Sequence, residues 1–575
     1  MSVNPAKQSA NGKGEQKPVA KWTVMIYFAA DNDLEEEAIN DLKSMKKVGS
    51  TDDVNIIAQL DSRGRGNTFR FLLGDEQTTL NEDVVGDPLP EINTGDPREL
   101  TKFIVWGADT YEAENYMLVL WGHGRGWEDL DNSDRAAAPT TDAVIYKKDS
   151  AEKGESGEKR QPDDNLSIAM TRQKEIRTFL KGGTVSQETE NTVENFAQLL
   201  SKRTESEVSR GLLTDQTFGK ESEASQDVLK INELESALAE ARKRAFAFKD
   251  DPKRQIAILG MDACLMGMVE VGHQIKDHVK YMVASEDAIP DEGWPYERIL
   301  ARLVKSPDMS PGDLAVTIIR EFLLYYREKY MDVTKSACDL ARSDDLTRDI
   351  QRLALELTKK IRANPGPVGA AILASRAMTQ SFYLKDYVDL YNFCANLRLI
   401  GGDKEIEDSC SKLMETIEGN KQNDGNSQSE QHTSPTEKRF VHSYGFIGHR
   451  LRDANGVSIY FPCFNPSPKY AELQFAEKSK WGEFLGALSG LFSEQGSFSA
   501  MASDTVDVPP VAIGGKVKSD YGTREKLDHR MQEKLPVLPH RRERKYPITP
   551  AEETMTEKTR TRGKKKEVAK NRTLI

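Results

Sequence analysis

Residues 116–124 read YMLVLWGHG and residues 255–264 read QIAILGMDAC, and these two stretches decide the fold. In each stretch an apolar run of strand length ends in a turn, so His123 and Cys264 stand a few residues beyond a predicted strand. The runs are apolar throughout rather than alternating, which is typical of a parallel sheet covered on both faces. Functional side chains gather at the carboxyl ends of such strands. The sequence therefore predicts an α/β fold with His123 and Cys264 at one sheet edge.

Further apolar runs and one helical segment extend this prediction along the chain. The run WTVMIYF at residues 22–28 leads through Asp31, Asn32 and Asp33 into an acidic segment that favours a helix N-terminus. Residues 231–244 have the length and pattern of a helix. The remaining apolar runs are predicted as strands at residues 54–60, 69–73, 281–284 and 457–461.

Length, composition and cysteine usage set the broad class. A chain of 575 residues predicts about two to four domains at ~150 residues each. No stretch approaches the roughly 18 apolar residues that a membrane span needs, and the polar N-terminus has no signal-peptide core, so the cytoplasm is expected. Five cysteines are too few, and odd in number, for a disulfide framework, so they are expected to be free thiols.

Three regions are too polar to bury a core. Residues 147–165 and 419–438 are predicted as loops or linkers, and the chain from about residue 504 is predicted as a tail. Residues 521–575 carry 16 Lys and Arg against 8 Asp and Glu. This basic segment has no groove-reading motif, so a solvated tail is expected and nucleic acid is not expected as a partner.

Cys264 and His123 have the setting that a thiolate nucleophile needs. A base must take the thiol proton, and amides must receive the developing oxyanion. The helical pattern of residues 265–270 would place a helix N-terminus beside the thiol, and glycines flank His123. The amides of Gly124 and Cys264 are natural oxyanion donors. The alternatives are a buried structural cysteine and an ordinary Gly-His-Gly turn.

Other histidines and cysteines provide weaker candidates. His442 and His449 are rival bases, since they stand near the last predicted strand. Four cysteines lack a comparable setting and are interpreted as structural; they are Cys338, Cys394, Cys410 and Cys463.

Six blocks of sequence, in order, resemble the clostripain family of caspase-like cysteine peptidases. The blocks are WTVMIYFAADNDLE (22–35), LVLWGHGRGW (118–127), GMDACLMGMVEV (260–271), YMVASE (281–286), DEGWPY (291–296) and GVSIYFP (456–462). The resemblance implies a caspase-like three-layer sandwich, with a mostly parallel sheet between helices and a C-terminal extension. It also implies an endopeptidase with a Cys264/His123 dyad that cleaves proteins after Arg, less often after Lys.

The resemblance also assigns a specificity pocket. Asp262 would pair with the substrate guanidinium, although a carboxylate at this position could instead cap the following helix. Family members usually carry a second acid in a Gly-Asp-Gly-Trp loop, where this chain has Asp291 and Glu292 before Gly293. Glu292 matches that acid and Asp291 replaces a glycine. Asp31, Asn32 and Asp33 are predicted to cap a helix, with a strand-end position that would let one of them line the same pocket.

The domain organisation follows from the resemblance. Residues 1–20 are predicted to lack order, 21–330 to form the catalytic domain with a long insert at about 129–210, 331–500 to complete the peptidase, and 501–575 to form the basic tail. Self-cleavage within the insert is expected to activate a zymogen. The candidate sites are Lys147, Lys148, Lys159, Arg160, Lys202, Arg203 and Arg210.

Two other functions remain open from the sequence. A caspase-like body could serve as a catalytically silent interaction module, or the site could hydrolyse small amides. The sequence has no zinc-ligand spacing and no calcium-binding loop, so no cofactor is required by it. The resemblance makes a calcium effect conceivable without identifying ligands.

Overall fold

The computed structural model describes residues 19–63, 68–127, 212–213, 228–251, 253–418, 439–462 and 465–491. The described residues belong to one compact unit. The predicted polar tracts at 147–165 and 419–438 and the tail lie outside the described residues, as does Cys463. So do the seven candidate self-cleavage sites, Lys147, Lys148, Lys159, Arg160, Lys202, Arg203 and Arg210.

An eight-stranded mixed sheet forms the centre of the described fold, in the order β3-β2-β1-β4-β5-β6-β7-β9. The strands β2, β1, β4, β5 and β6 run parallel, while β3 pairs antiparallel with β2, and β7 pairs antiparallel with both β6 and β9. A separate two-stranded antiparallel sheet pairs β8 with β10. The strands are β1 Ala20–Ala30, β2 Val54–Ser62, β3 Thr68–Leu72, β4 Ala113–Trp121, β5 Ile256–Asp262, β6 Val279–Ala284, β7 Val333–Asp339, β8 Tyr387–Asp389, β9 Val441–Ile447 and β10 Ser458–Tyr460.

Helices cover both faces of the large sheet. The helices are α1 Glu35–Lys46, α2 Pro97–Thr110, α3 Ile231–Arg244, α4 Phe246–Lys249, α5 Val269–Ile275, α6 Tyr296–Lys305, α7 Pro311–Glu328, α8 Ser343–Ala363, α9 Pro365–Ala377, α10 Leu390–Ile400, α11 Lys404–Glu418, α12 Gln474–Ser479 and α13 Trp481–Gly490. Helices α1, α6 and α7 pack on one face, and α2, α3, α5 and α8 pack on the other. The predicted three-layer α/β architecture is therefore confirmed.

Strand β1 illustrates why the central strands lack polar alternation. Val24, Ile26 and Phe28 point into the apolar layer of α1, α6 and α7, whereas Met25 and Tyr27 point into the opposite layer. Because helices exclude water from both faces, residues 24–28 are apolar on both sides of the strand. Burial of these side chains on both faces stabilises β1 in the interior of the sheet through the hydrophobic effect.

The predicted strands required two corrections at the far side of the sheet. β7, β8 and β9 were not predicted. VTKSACD and VHSYGFI have too few apolar residues for a buried run, and the three residues of β8 are too short to form one. The apolar run at residues 457–461 does form a strand, β10, but this strand pairs with β8 outside the large sheet. Each correction concerns the part of the sheet beyond β6.

The register of the three neighbouring parallel strands sets the position of the candidate site. Phe28 of β1 pairs with Trp121 of β4, and Trp121 pairs with Asp262 of β5. The loops that follow these strands therefore begin side by side at one edge of the sheet. They carry, in order across the sheet, Asp33, His123 and Cys264. No helix among the described residues is both long and apolar enough to span a membrane.

Candidate active site

His123 and Cys264 occupy equivalent positions on neighbouring strand ends. Each lies two residues beyond a position of the paired register, in which Trp121 faces Asp262. The amide of Gly122 also donates to the carbonyl of Asp262 at 3.2 Å, so the pairing extends past the end of β4. The structure thus brings the two sequence-predicted residues into one stretch of the sheet edge.

Gly124 allows the loop after β4 to touch the loop that carries the cysteine. A Cβ atom added at Gly124 would lie 2.5 Å from the carbonyl oxygen and 2.9 Å from the amide nitrogen of Cys264. No side chain can be accommodated at these distances, so glycine is required. Among the described residues, neither the amide of Gly124 nor that of Cys264 donates to a protein acceptor. Two adjacent amides are therefore available to receive an oxyanion.

The thiol of Cys264 is held against the loop that follows β6. Its Sγ accepts a hydrogen bond from the amide of Ile289 at 3.3 Å and contacts the Ile289 carbonyl at 3.8 Å. Burial, with smaller contributions from the Asp291 and Asp287 carboxylates, raises the pKa of the thiol to about 11. The thiol is therefore neutral near pH 7, and it needs a base to become a nucleophile.

The helix predicted directly after Cys264 begins later than expected. α5 starts at Val269, and Leu265 has φ +65°, so residues between the thiol and the helix form a turn. The helix N-terminus therefore does not flank Cys264, which corrects the prediction that a helix dipole lowers the thiol pKa. Asp262 does not cap this helix either, since its N-cap residue is Met268.

The imidazole of His123 lies against the carboxylate of Asp33. The Nε2 of His123 is 2.9 Å from Oδ1 of Asp33, and the histidine side chain is 15% exposed. Asp33 was predicted mainly as a helix cap, but α1 has no side-chain cap. Asn32 instead stabilises the turn, since its amide donates to Ala29 and its oxygen accepts from the Leu34 amide. Asp33 is thereby left beside the histidine.

Asp262 lies beneath this edge and binds the loop that leads into α6. Its side chain is buried, and Oδ2 accepts from the Trp294 amide at 3.0 Å and from the Tyr296 hydroxyl at 2.8 Å. A Cβ added at Gly293, where φ is +60°, would lie 2.8 Å from Oδ2, so the loop packs tightly on the acid. Oδ1 has no hydrogen-bond partner among the described residues.

A sequence model of the clostripain family matches residues 26–144 and 209–487, which is more than half of the chain. The chain belongs to the clostripain family. It is therefore a cysteine peptidase, and its sandwich is the caspase-like fold that the resemblance implied. The curated protein clostripain, from Hathewaya histolytica, is 23% identical over 519 residues, covering 81% of this chain and 78% of clostripain.

Two solved structures resemble the chain of this clostripain-family peptidase at low sequence identity. A secreted C11 cysteine protease from Bacteroides thetaiotaomicron, in complex with an irreversible peptide inhibitor, is 16% identical with a TM-score of 0.48. An inactive zymogen C11 protease from Parabacteroides distasonis is 17% identical with a TM-score of 0.47. Each comparison covers 80% of this chain and 99% of the other.

The two acids assigned to the substrate pocket of this clostripain-family member differ in position. Glu292 is exposed, and its Oε1 pairs with Nζ of Lys329 at 3.0 Å. Asp291 is also exposed, and its charge adds to the larger effect of burial in raising the pKa of the Cys264 thiol. The family motif favours Glu292 as the second acid, whereas Asp291 is the one of the two whose charge affects the pKa of the thiol.

The rival bases lie elsewhere in the fold. His442 is on β9, which two strands separate from β5, and its ring packs 5.2 Å from the ring of Tyr281. His449 is exposed and its Nε2 accepts from Arg452 at 3.2 Å. The three described cysteines other than Cys264 are buried free thiols, namely Cys338, Cys394 and Cys410. These placements favour His123 as the partner of Cys264.

Metal ligands do not cluster in the described part of the chain. No group of three or more His, Cys, Asp or Glu side chains there is arranged to hold an ion. The described residues therefore assign no ligands to calcium.

The contact between His123 and Asp33 leads to a first prediction. Asp33→Asn removes the charge that would stabilise the imidazolium as it forms, so kcat should fall about 10-fold while KM stays within about 2-fold. Steady-state kinetics on a peptide substrate measures this split. Glu36→Gln, an exposed acid in the first turn of α1, is the matched control. A rise in KM at constant kcat, or an equal loss in the control, would contradict a positioning role for Asp33.

Proposed function

We propose that this clostripain-family peptidase cleaves proteins after Arg or Lys through a Cys264/His123 dyad, oriented by Asp33. The observation that carries the proposal is the pairing of Trp121 with Asp262, which sets His123 and Cys264 at matching positions of adjacent strand ends. The close approach of Gly124 to the backbone of Cys264 supports it independently. Together these features supply a nucleophile, a base and amide donors at one edge.

Catalysis would proceed in two steps. His123 takes the proton of the Cys264 thiol, and the thiolate attacks the carbonyl carbon of the scissile bond. The amides of Gly124 and Cys264 stabilise the oxyanion of the tetrahedral intermediate, and protonated His123 then donates to the leaving amine. Water, deprotonated by His123, hydrolyses the thioester and regenerates the thiol. Asp33 keeps the imidazole in place during both proton transfers.

Asp262 would supply the preference for a basic side chain. Its Oδ2 is engaged by Trp294 and Tyr296, which fixes the orientation of the carboxylate. Its Oδ1 has no partner among the described residues and is the atom suited to a guanidinium or ammonium group. Asp291 is exposed, and its charge raises the pKa of the Cys264 thiol. Asp291 is therefore suited to the rim of the same pocket.

Self-cleavage would occur in the insert between the two catalytic residues. His123 and Cys264 are distant in the chain, and most of residues 128–227 lie outside the described fold. This interval contains the seven basic candidate sites, which match the proposed preference. Cleavage there would leave β4 and β5 paired, because the register between them does not depend on the covalent connection.

One experiment tests both parts of the proposal. Wild-type protein and the Cys264→Ala variant are incubated, separated by denaturing electrophoresis, and the new N-termini are sequenced. The wild type should yield two fragments that begin after a basic residue of the insert, while the variant stays intact. Fluorogenic peptides with Arg, Lys or Asp at the cleavage position should be cleaved in the first two cases only. An intact, active wild type would refute self-cleavage, and cleavage of the Asp peptide at a similar rate would refute the specificity.

A further inference from the structure

A buried lysine lies in the same layer as the specificity acid. Lys335 is on β7, its side chain is 1% exposed, and its ammonium makes no hydrogen bond to any described residue. Nζ makes cation–π contacts with two rings, 4.2 Å from the centroid of Phe322 and 4.9 Å from that of Trp294. A buried lysine without hydrogen bonds is unusual, because removing an ammonium group from water is costly.

Trp294 connects this ammonium to Asp262. The ammonium group of Lys335 lies over the indole ring of Trp294, and the backbone amide of Trp294 donates to Oδ2 of Asp262. Burial raises the pKa of Asp262 to about 6 and lowers that of Lys335 to about 7, and the opposite charge of each group limits the shift of the other. Lys335, Trp294 and Asp262 thus form a buried cluster. Neither Nζ of Lys335 nor Oδ1 of Asp262 has a hydrogen bond to the described residues.

Asp41, a second buried acid on this face of the sheet, does not balance the lysine. Asp41 accepts a hydrogen bond from Nε1 of Trp121 at 2.8 Å, and burial, with a contribution from Asp262, raises the pKa of Asp41 to about 9. Asp41 is therefore uncharged near pH 7. Asp262 is left as the carboxylate that compensates Lys335.

We propose that Lys335 is a specificity-determining residue. It acts as an internal counter-ion of Asp262, the same role that the side chain of a substrate Arg or Lys would have. The proposal rests on the function proposed above and refines it. The guanidinium group of a bound substrate must compete with Lys335 for the negative charge of Asp262. The preference for a charged over a neutral substrate side chain is therefore weaker than it would be with Asp262 alone. Shape and hydrogen bonding at Oδ1 then carry a larger share of substrate selection.

The two aromatic contacts of Lys335 stabilise its ammonium group but offset only part of the cost of burying it. An aliphatic side chain would pack between Trp294 and Phe322 at lower cost, because apolar replacements of buried ionic groups are often neutral or stabilising. A structural ion pair would also be expected to include hydrogen bonds that offset the loss of hydration. Lys335 has none among the described residues, and its electrostatic interaction with Asp262 occurs without a hydrogen bond between the two groups.

The test compares substrates that differ in charge but not in shape. Matched peptides carry Arg or the neutral isostere citrulline at the cleavage position, and kcat/KM is measured for both. Lys335→Met should raise the Arg:citrulline ratio by about 10-fold or more, because the guanidinium becomes the only counter-ion of Asp262. Lys280→Met removes the same charge from an exposed position on the neighbouring β6 and should leave the ratio unchanged.

The outcomes distinguish this proposal from the preceding one. Cleavage of the Arg peptide by the wild type with an unchanged or lower ratio in Lys335→Met would overturn the role of Lys335 alone. No cleavage of Arg or Lys peptides by either protein would overturn the proposed specificity itself. Circular dichroism and the Tm establish whether Lys335→Met is folded. If it is not, Lys335→Leu, a shorter apolar replacement, is used in its place.

Discussion

Replacement of Cys264 by alanine is expected to abolish peptidase activity, with a loss of kcat on the order of 10⁴-fold or more. In the proposed mechanism the Cys264 thiol is the nucleophile that forms the acyl intermediate, and alanine has no group that could replace it. The fold should survive, because Cys264 is only partly buried and alanine retains its Cβ. Hydrolysis of a fluorogenic Arg peptide measures the loss, and the Tm should change by no more than about 2 °C.

Cys338→Ala is the matched control for this experiment. Cys338 is a free thiol on β7, fully buried and unconnected to the strand edge that carries Cys264. Its replacement should cost stability through a small cavity while activity per folded molecule stays unchanged. Retention of wild-type turnover by Cys264→Ala, or its loss in Cys338→Ala at an equal folded fraction, would show that the nucleophile is misassigned.

Replacement of His123 by alanine should lower kcat by about 10³-fold. Burial holds the thiol pKa near 11, so little thiolate forms at neutral pH without a base. Since thiolate becomes more abundant as pH rises toward that pKa, the residual activity of His123→Ala should increase with pH across the range in which the protein is folded. Rate measurements at successive pH values test both the loss and its recovery.

His442→Ala provides the comparison for the base. His442 packs against Tyr281 on the far side of the sheet, and burial lowers its pKa. Its loss should leave kcat within about 2-fold of the wild type. A larger effect of His442→Ala than of His123→Ala would reverse the assignment of the base.

The central strands and the positions of the two proposed catalytic residues could be predicted because one physical pattern marks both. Burial on two faces makes β1, β4 and β5 apolar throughout, and the polar residues that follow such strands are conspicuous. His123 and Cys264 were found in this way. Their mutual placement depends on strand order, which apolar runs alone do not specify.

The far side of the sheet was missed for the opposite reason. β7 contains Lys335 and β9 contains His442, and both strands are less apolar than those at the centre. A lysine within a short segment resembles a surface position unless its buried partners are known. The buried position of Lys335 can be recognised only from its contacts with Trp294 and Phe322 in the folded protein.

Loop chemistry also escaped prediction. The turn from Ala263 to Met268 replaces the first turn of a helix, since Leu265 adopts a positive φ that no sequence rule indicates for leucine. Asp33 resembled a helix cap, but Asn32 forms the local hydrogen bonds and leaves Asp33 to His123. In each case neighbouring residues compete for the same backbone groups, and tertiary contacts decide the outcome.

Covalent labelling tests most directly the central claim that Cys264 and His123 form one site. The protein is treated with a peptidyl-arginine chloromethyl ketone, and the modified residue is located by mass spectrometry of proteolytic fragments. The account predicts a single adduct on Cys264, formed at least about 100-fold more slowly in folded His123→Ala. An adduct on another cysteine, or labelling of Cys264 at the same rate without His123, would contradict it.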